Sequence, residues 1–392
     1  VTVHPDTVRI PRRATAAPPS TAQCEKAYGI ACYTPTQIQS AYDLPALYAR
    51  GATGKGATIA IVDPFGSPTI KADLATFDKT FGIAAPPKFT VIAPAGKIPP
   101  FNPKNSGMTD WASETTLDVE YAHAVAPGAN ILLVETPVSE TEGTAGFPQI
   151  VKAEEYAMSH YKVGVISQSF ATTEQTFPDY AQLASLRGAY TDAQSHKVTV
   201  LAGSGDAGAT NYKDDGVHFY SSRVTAWPAT DPLVTAVGGT QLKQSGGGYN
   251  SVAWNDSYNK TLLKYWTGSS APSPFSTGGG TSEFFARPAY QKGVNVGTHR
   301  GVPDISMSAA CDGAVQVYSS YTFKGWSLTC GTSEATPEFA GVVAIADQIA
   351  GHSLGVVNTA LYKLAAAGAP GIVDVTSGNN TVAFTSGKKQ VT

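Results

Sequence analysis

The chain has 392 residues, 42% of them hydrophobic and 15% charged, with a formal net charge of −3. That supplies a large core, and a single α/β domain can reach this length. The charge balance excludes a basic nucleic-acid footprint, and no apolar run reaches the roughly 18–20 residues of a membrane helix.

Residues 1–33 have little periodicity, and "PRRATAAPPSTAQ" (11–23) reads as an extended linker. A globular pattern begins at "TPTQIQSAYDLPALY" (34–48). "ATIAIVD" (57–63) is a short apolar run before a turn, which predicts a buried strand. Further runs are "ANILLVE" (129–135), "VGVISQSF" (163–170), "KVTVLAGSG" (197–205) and "PLVTAVGGT" (232–240). Helical spacing lies between them, at 68–81, 110–125, 147–161 and 179–194. Alternating strand and helix predicts an α/β fold, a mostly parallel sheet covered on both faces. Residues 241–300 are rich in Gly, Ser, Asn and aromatics and read as long irregular loops. Core returns with "GAVQVYSS", "GWSLTCGTS" and the helix "EFAGVVAIADQIAG".

Four cysteines form two local pairs, Cys24/Cys32 and Cys311/Cys330. An even count at short spacing favours two disulfides and an oxidising compartment. Other connectivities and four buried thiols remain open at this level, and neither pair has zinc-knuckle spacing. The low charge with much Gly, Thr, Ser and Ala resembles a secreted protein. No signal peptide begins the chain, and Val1 reads as the start of a processed or recombinant form.

In "CGTSEATPEFAG" (330–341), Gly331 permits an unusual backbone angle and Ser333 falls at the start of a buried helix. Backbone N–H groups there can stabilise developing negative charge. Ser333 is a candidate nucleophile, and a simple N-cap is the alternative. A serine nucleophile needs a base. None of the seven histidines lies in a recognisable base motif, and His123 reads as structural. Carboxylates are better candidates. In "ASETTLDVEYAHAV", Glu114 and Asp118 share one helix face. If buried, such a pair holds a proton between its members; a solvated acidic face is the alternative, and Glu120 reads as that. Asp206, in "LAGSGDAGATN" (201–211), sits in a glycine-rich turn after an apolar strand. Parallel sheets deliver site residues at such ends, although turn aspartates also hold loops.

Together these segments resemble the sedolisins, the serine-carboxyl peptidases. The resemblance runs from about residue 31 to 380 and rests on ordered motifs. They include "ETTLDVEYAHAVAPGA", "SGDAGA", "WPATDPLVTAVGGT", "GGGTSEFFARPAYQ", "RGVPDIS" and "GTSEATPEFAG". It implies a subtilisin-like fold with one large catalytic domain over residues 34–392. Ser333 matches the nucleophile, Glu114 the general base, Asp118 the acid that orients it, and Asp206 the oxyanion-hole aspartate. Asp63 stands where it can extend the carboxylate network. Phe170 replaces the usual tryptophan. The resemblance also implies calcium, with Asp374 and the Val375 carbonyl as ligands. No acidic residue follows Asp374, so the ligand set is incomplete and the calcium-loop region reads as truncated. It further implies a propeptide before maturation, protein or peptide substrates, secretion and a monomer, with no nucleic acid or membrane partner.

The implied function is a secreted endopeptidase acting at acidic pH. A tripeptidyl-peptidase of the same family and a catalytically silent binding protein are the alternatives. A subtilisin-type site using Asp63, His123 and Ser333 is the rival for the base. "GATGKGA" (51–57) is not a phosphate loop, because Gly56 follows Lys55. Asn255, Asn259 and Asn379 begin sequons.

Overall fold

The computed structural model describes residues 8–392 apart from 323 and 388. In the strand Thr58–Pro64, side chains alternate between two cores. Ile59 and Ile61 enter one hydrophobic cluster, with Leu201, Val237 and the helix residues Val119, Ala122 and Val343. Ala60 and Val62 enter another, with Phe147, Ile150 and Tyr190 from helices on the opposite face. Burial on both faces explains why these strands read as continuous apolar runs rather than alternating ones.

The central sheet has eight strands. From one edge the order is 248–253, 235–245, 199–203, 165–168, 58–64, 130–136 and 89–92, and strand 305–308 also pairs with 235–245. All pairings are parallel except that of the 235–245/248–253 hairpin. The chain builds outward from strand 58–64, first to one side and then to the other. α/β sheets place ligands beyond the carboxyl ends of the strands at such a reversal of strand order. The predicted α/β architecture is thus present.

Two regions differ from the sequence reading. "QLKQSGGGYNSVA" is a regular hairpin with Ser245 opposite Gly248. Gly246 and Gly247, at φ 57° and 85°, form its two-residue turn, which requires positive φ at both positions. The helix Lys260–Thr267 and the strand Gly280–Ala286 add further order to this region. The N-terminal segment, read as a linker, contains the strand Val8–Thr15 and the helix Thr21–Tyr28. That strand pairs with Gly325–Cys330 in a second, four-stranded sheet that also includes Ala314–Ser319 and Cys32–Tyr33. Both expected disulfides are formed, with Cα separations of 5.9 Å for Cys24–Cys32 and 5.0 Å for Cys311–Cys330. Among the described residues, no helix is long and apolar enough to cross a membrane.

Candidate active site

Two long helices hold most of the candidate residues. The acid helix, Ser106–Val125, is capped by the Asn105 side chain, which accepts from the Met108 N–H, and is buried from Trp111 onward. The serine helix, Thr332–Ala350, starts after Gly331, whose φ of 124° a residue with a side chain would rarely adopt. Gly331, not Ser333, is therefore the N-cap, and the capping alternative for Ser333 fails. Pro337 lies inside this helix and has no N–H to give the Ser333 carbonyl. The helices pack side by side. They come close at Gly341, where an added Cβ would stand 2.6 Å from the Val125 side chain and 3.2 Å from the Ala122 carbonyl oxygen.

Glu114 and Asp118 are fully buried, so the solvated-face reading of this pair is excluded. Asp63, at the carboxyl end of its strand, meets Asp118 and Thr115. Ser169, just beyond strand 165–168, donates its hydroxyl to Asp118 Oδ1 at 3.0 Å. Burial pushes Asp63 up to about 7, against the pull of the neighbouring Thr115 hydroxyl and Asp118 carboxyl, and the Glu135 charge adds to the rise. Asp118 is raised well above the usual carboxylate range by burial first, then by the charges of Asp63 and Glu114. The Ser169 hydroxyl works against that rise. Carboxyl groups in contact can bond to one another only if one carries a proton. Asp63 and Asp118 therefore hold a proton between them at acidic and near-neutral pH, and the Glu114 charge acts on Asp118 beside them. Glu120, read as a solvated acid, is instead buried and accepts the Tyr318 N–H at 3.1 Å.

Asp206 lies at the end of strand 199–203. Its Oδ1 accepts from the Thr332 N–H at 2.7 Å and the Thr332 hydroxyl at 2.8 Å. The Thr332 hydroxyl also accepts the Gly205 N–H at 3.2 Å. Thr332, the residue before Ser333, is thus tied to the Asp206 turn, and Ser333 itself is 5% exposed. The structure brings Asp206 to Thr332, the residue before Ser333, and Asp63 to the helix bearing Glu114 and Asp118. Both groups stand at the carboxyl edge of the sheet.

His123 is placed elsewhere. It is buried, with Nε2 2.9 Å from the Ala84 carbonyl and 3.4 Å from Asp78 Oδ1. Asp63 is occupied by Asp118 and Thr115, so the Asp63–His123 pair of the subtilisin-type rival does not form. Phe170 packs edge-on against Trp111 and Phe147, beneath the acids. Sequence reasoning missed Ser169 and Thr332, whose hydroxyls bond the carboxyl groups, and Thr115, which lies beside Asp63. Their only signal was position, at strand ends and one residue from a named site.

Asp374 is exposed and Val375 half-buried. Calcium takes roughly six to eight oxygen ligands. Among the described residues, no group of three or more acidic, histidine or cysteine side chains could hold a metal ion. Asp374 and the Val375 carbonyl by themselves would supply only part of that number.

Residues 95–377 match the model of the subtilase family. Kumamolisin from a Bacillus species (strain MN-32) is 32% identical over 363 residues, covering 90% of this chain and 58% of the relative. Human tripeptidyl-peptidase 1 is 27% identical over 326 residues, covering 78% and 50%. This chain therefore spans about half the length of these two curated relatives. The solved structure of Pseudomonas sedolisin, a serine-carboxyl proteinase complexed with two molecules of pseudo-iodotyrostatin, superposes with a TM-score of 0.73. It is 26% identical and covers 90% of both chains.

Proposed function

The chain belongs to the subtilase family, in its sedolisin branch, and from that premise we propose that it hydrolyses peptide bonds at acidic pH through an acyl-enzyme on Ser333. Glu114, ionised, takes the Ser333 proton as the hydroxyl attacks the scissile carbonyl. Asp118 shares a proton with Glu114 and fixes its orientation, and Asp63 extends that sharing. Asp206 carries a proton on Oδ2 and donates it as a hydrogen bond to the oxyanion, alongside the Ser333 N–H. The assignment of Oδ2 follows from Oδ1, which already accepts two bonds from Thr332. Glu114 then returns its proton to the leaving amine, and water releases the acyl group by the reverse sequence.

The observation that carries this reading is a buried acid row, Asp63 at its strand end with Asp118 and Glu114 on a helix packed against the one that begins beside Ser333. No histidine takes part in it. We place the activity in residues 34–392 and assign protein or peptide substrates, a propeptide before maturation, secretion and a monomeric state. The two disulfides support secretion. An endopeptidase is the preferred mode, and removal of tripeptides is the second reading, favoured by the tripeptidyl-peptidases among the relatives.

A serine-directed covalent probe tests the proposal. Labelling of Ser333 at acid pH, lost in Glu114→Gln, supports it. Labelling that persists in Glu114→Gln but vanishes in His123→Ala refutes the carboxylate base, and absence of labelling at any pH supports a silent binding protein.

A further inference from the structure

A second acid pair lies on the serine helix, outside the catalytic row. Glu334 and Glu338 are one turn apart on the same helix face, and both are fully buried. Ser308 is the hydroxyl beside Glu334, yet none of the four carboxyl oxygens completes a hydrogen bond. Among the described residues, no ion pair involves either glutamate.

Among the described residues, the titratable groups that face the pair are acids and phenols. Tyr42 interacts with both glutamates, and its hydroxyl accepts the Ser308 N–H at 2.6 Å. The acid helix contributes Tyr121, which also senses both, and further along it Glu114 and Asp118. The turn after strand 199–203 contributes Asp206, and strand 58–64 ends in Asp63. Strands 165–168, 199–203 and 305–308 contribute no titratable side chain, nor does the buried part of 235–245. Strand 325–330 contributes only the disulfide-bonded Cys330. His123 is engaged with Asp78 and Ala84.

We propose that Glu334 and Glu338 are a proton-held latch on the helix that carries Ser333. As neutral acids they let its first two turns seat against Tyr42, Ser308 and Tyr121. Ionised, they repel each other and Asp206 in a bed without a cation, and the helix start is expelled. The latch confines the folded state to acid pH, independently of what the active site does.

Burial raises both carboxyls well above the usual range, and Coulomb repulsion adds to it: Asp206 acts on Glu334, and Glu334 on Glu338. The sign follows from proton binding. Below the ordinary glutamate range, about 4.3, folded and unfolded chains both hold the protons and stability is complete. Above it the unfolded chain releases protons that the fold retains. Each retained proton then raises the unfolding constant about tenfold per pH unit, until the folded chain also ionises.

The test is urea unfolding from pH 4 to 7 in a Ser333→Ala background, which prevents self-digestion. Glu334→Gln/Glu338→Gln and Glu338→Leu are compared with the background protein. Both variants are expected to fold at pH 4. Between pH 5 and 7 the unfolding constant of the double variant should climb less steeply, by about ten- to a hundredfold per pH unit. Glu338→Leu should show part of that flattening. Slopes equal to the background would overturn the latch. Failure of both variants to fold at pH 4 would also overturn it, because neutral or apolar side chains of similar size should satisfy this site. Neither result depends on cleavage of any substrate, so failure of the latch and failure of the peptidase reading are separable.

Discussion

Gly341→Ala perturbs the packing that joins the acids to the nucleophile without touching either. The new Cβ would sit 2.6 Å from both Cβ and Cγ1 of Val125 and 3.2 Å from the Ala122 carbonyl oxygen. Carbon atoms pack at about 3.5–4.0 Å, so the two helices must separate by roughly 1 Å. Overpacking of this kind costs about 1–3 kcal/mol, which at about 2 °C per kcal/mol lowers Tm by roughly 2–6 °C. A displacement of about 1 Å between base and nucleophile costs on the order of a hundredfold in rate. The assay is Tm by calorimetry, with kcat and KM measured well below Tm. A fall in kcat with KM nearly unchanged is expected. Unchanged kcat and Tm, or a loss confined to KM, would refute the claim that this contact sets the catalytic geometry.

Asp206→Asn keeps an acceptor for Thr332 and a donor for the oxyanion but removes the titration. The alkaline limb of the pH–rate profile should extend upward, and an unmoved limb would assign it to another group. Ser169→Ala removes a bond that favours ionised Asp118, so the acid row should hold its proton to higher pH. A profile shifted toward acid would contradict that sign. Reduction of Cys311–Cys330, which closes a 19-residue separation ahead of Ser333, should cost about 3 kcal/mol. A Tm unchanged by reduction would show that the bridge adds nothing. Chelation by EDTA should leave the Tm of this chain unchanged, since among the described residues no cluster of acidic side chains offers a full calcium shell. A fall restored by added calcium would show a site built from groups other than clustered side chains.

The parallel core was legible because strands buried on both faces carry unbroken apolar runs. Glu114 and Asp118 were legible through helical spacing, and Ser333 and Asp206 through glycines that force turns at element ends. What escaped was non-local or concealed by composition. The Val8–Thr15 strand pairs with residues more than 300 positions away, and no local pattern encodes that partner. The 245–248 turn was hidden in a glycine run that resembles a loop. Asp78 reaches His123 only through tertiary packing. Glu120, Glu334 and Glu338 are buried acids, contrary to the usual habit of their type. Such local conflicts with the burial rule mark the places where the chain accepts a stability cost.

The measurement that bears most directly on the carboxylate-base account is the pH–rate profile on a denatured protein substrate from pH 2 to 9, with Ser333→Ala as control. A single acidic maximum, absent in the control, is the expected result. A maximum at neutral or alkaline pH would mean that the Asp63–Asp118–Glu114 row is not the source of the base.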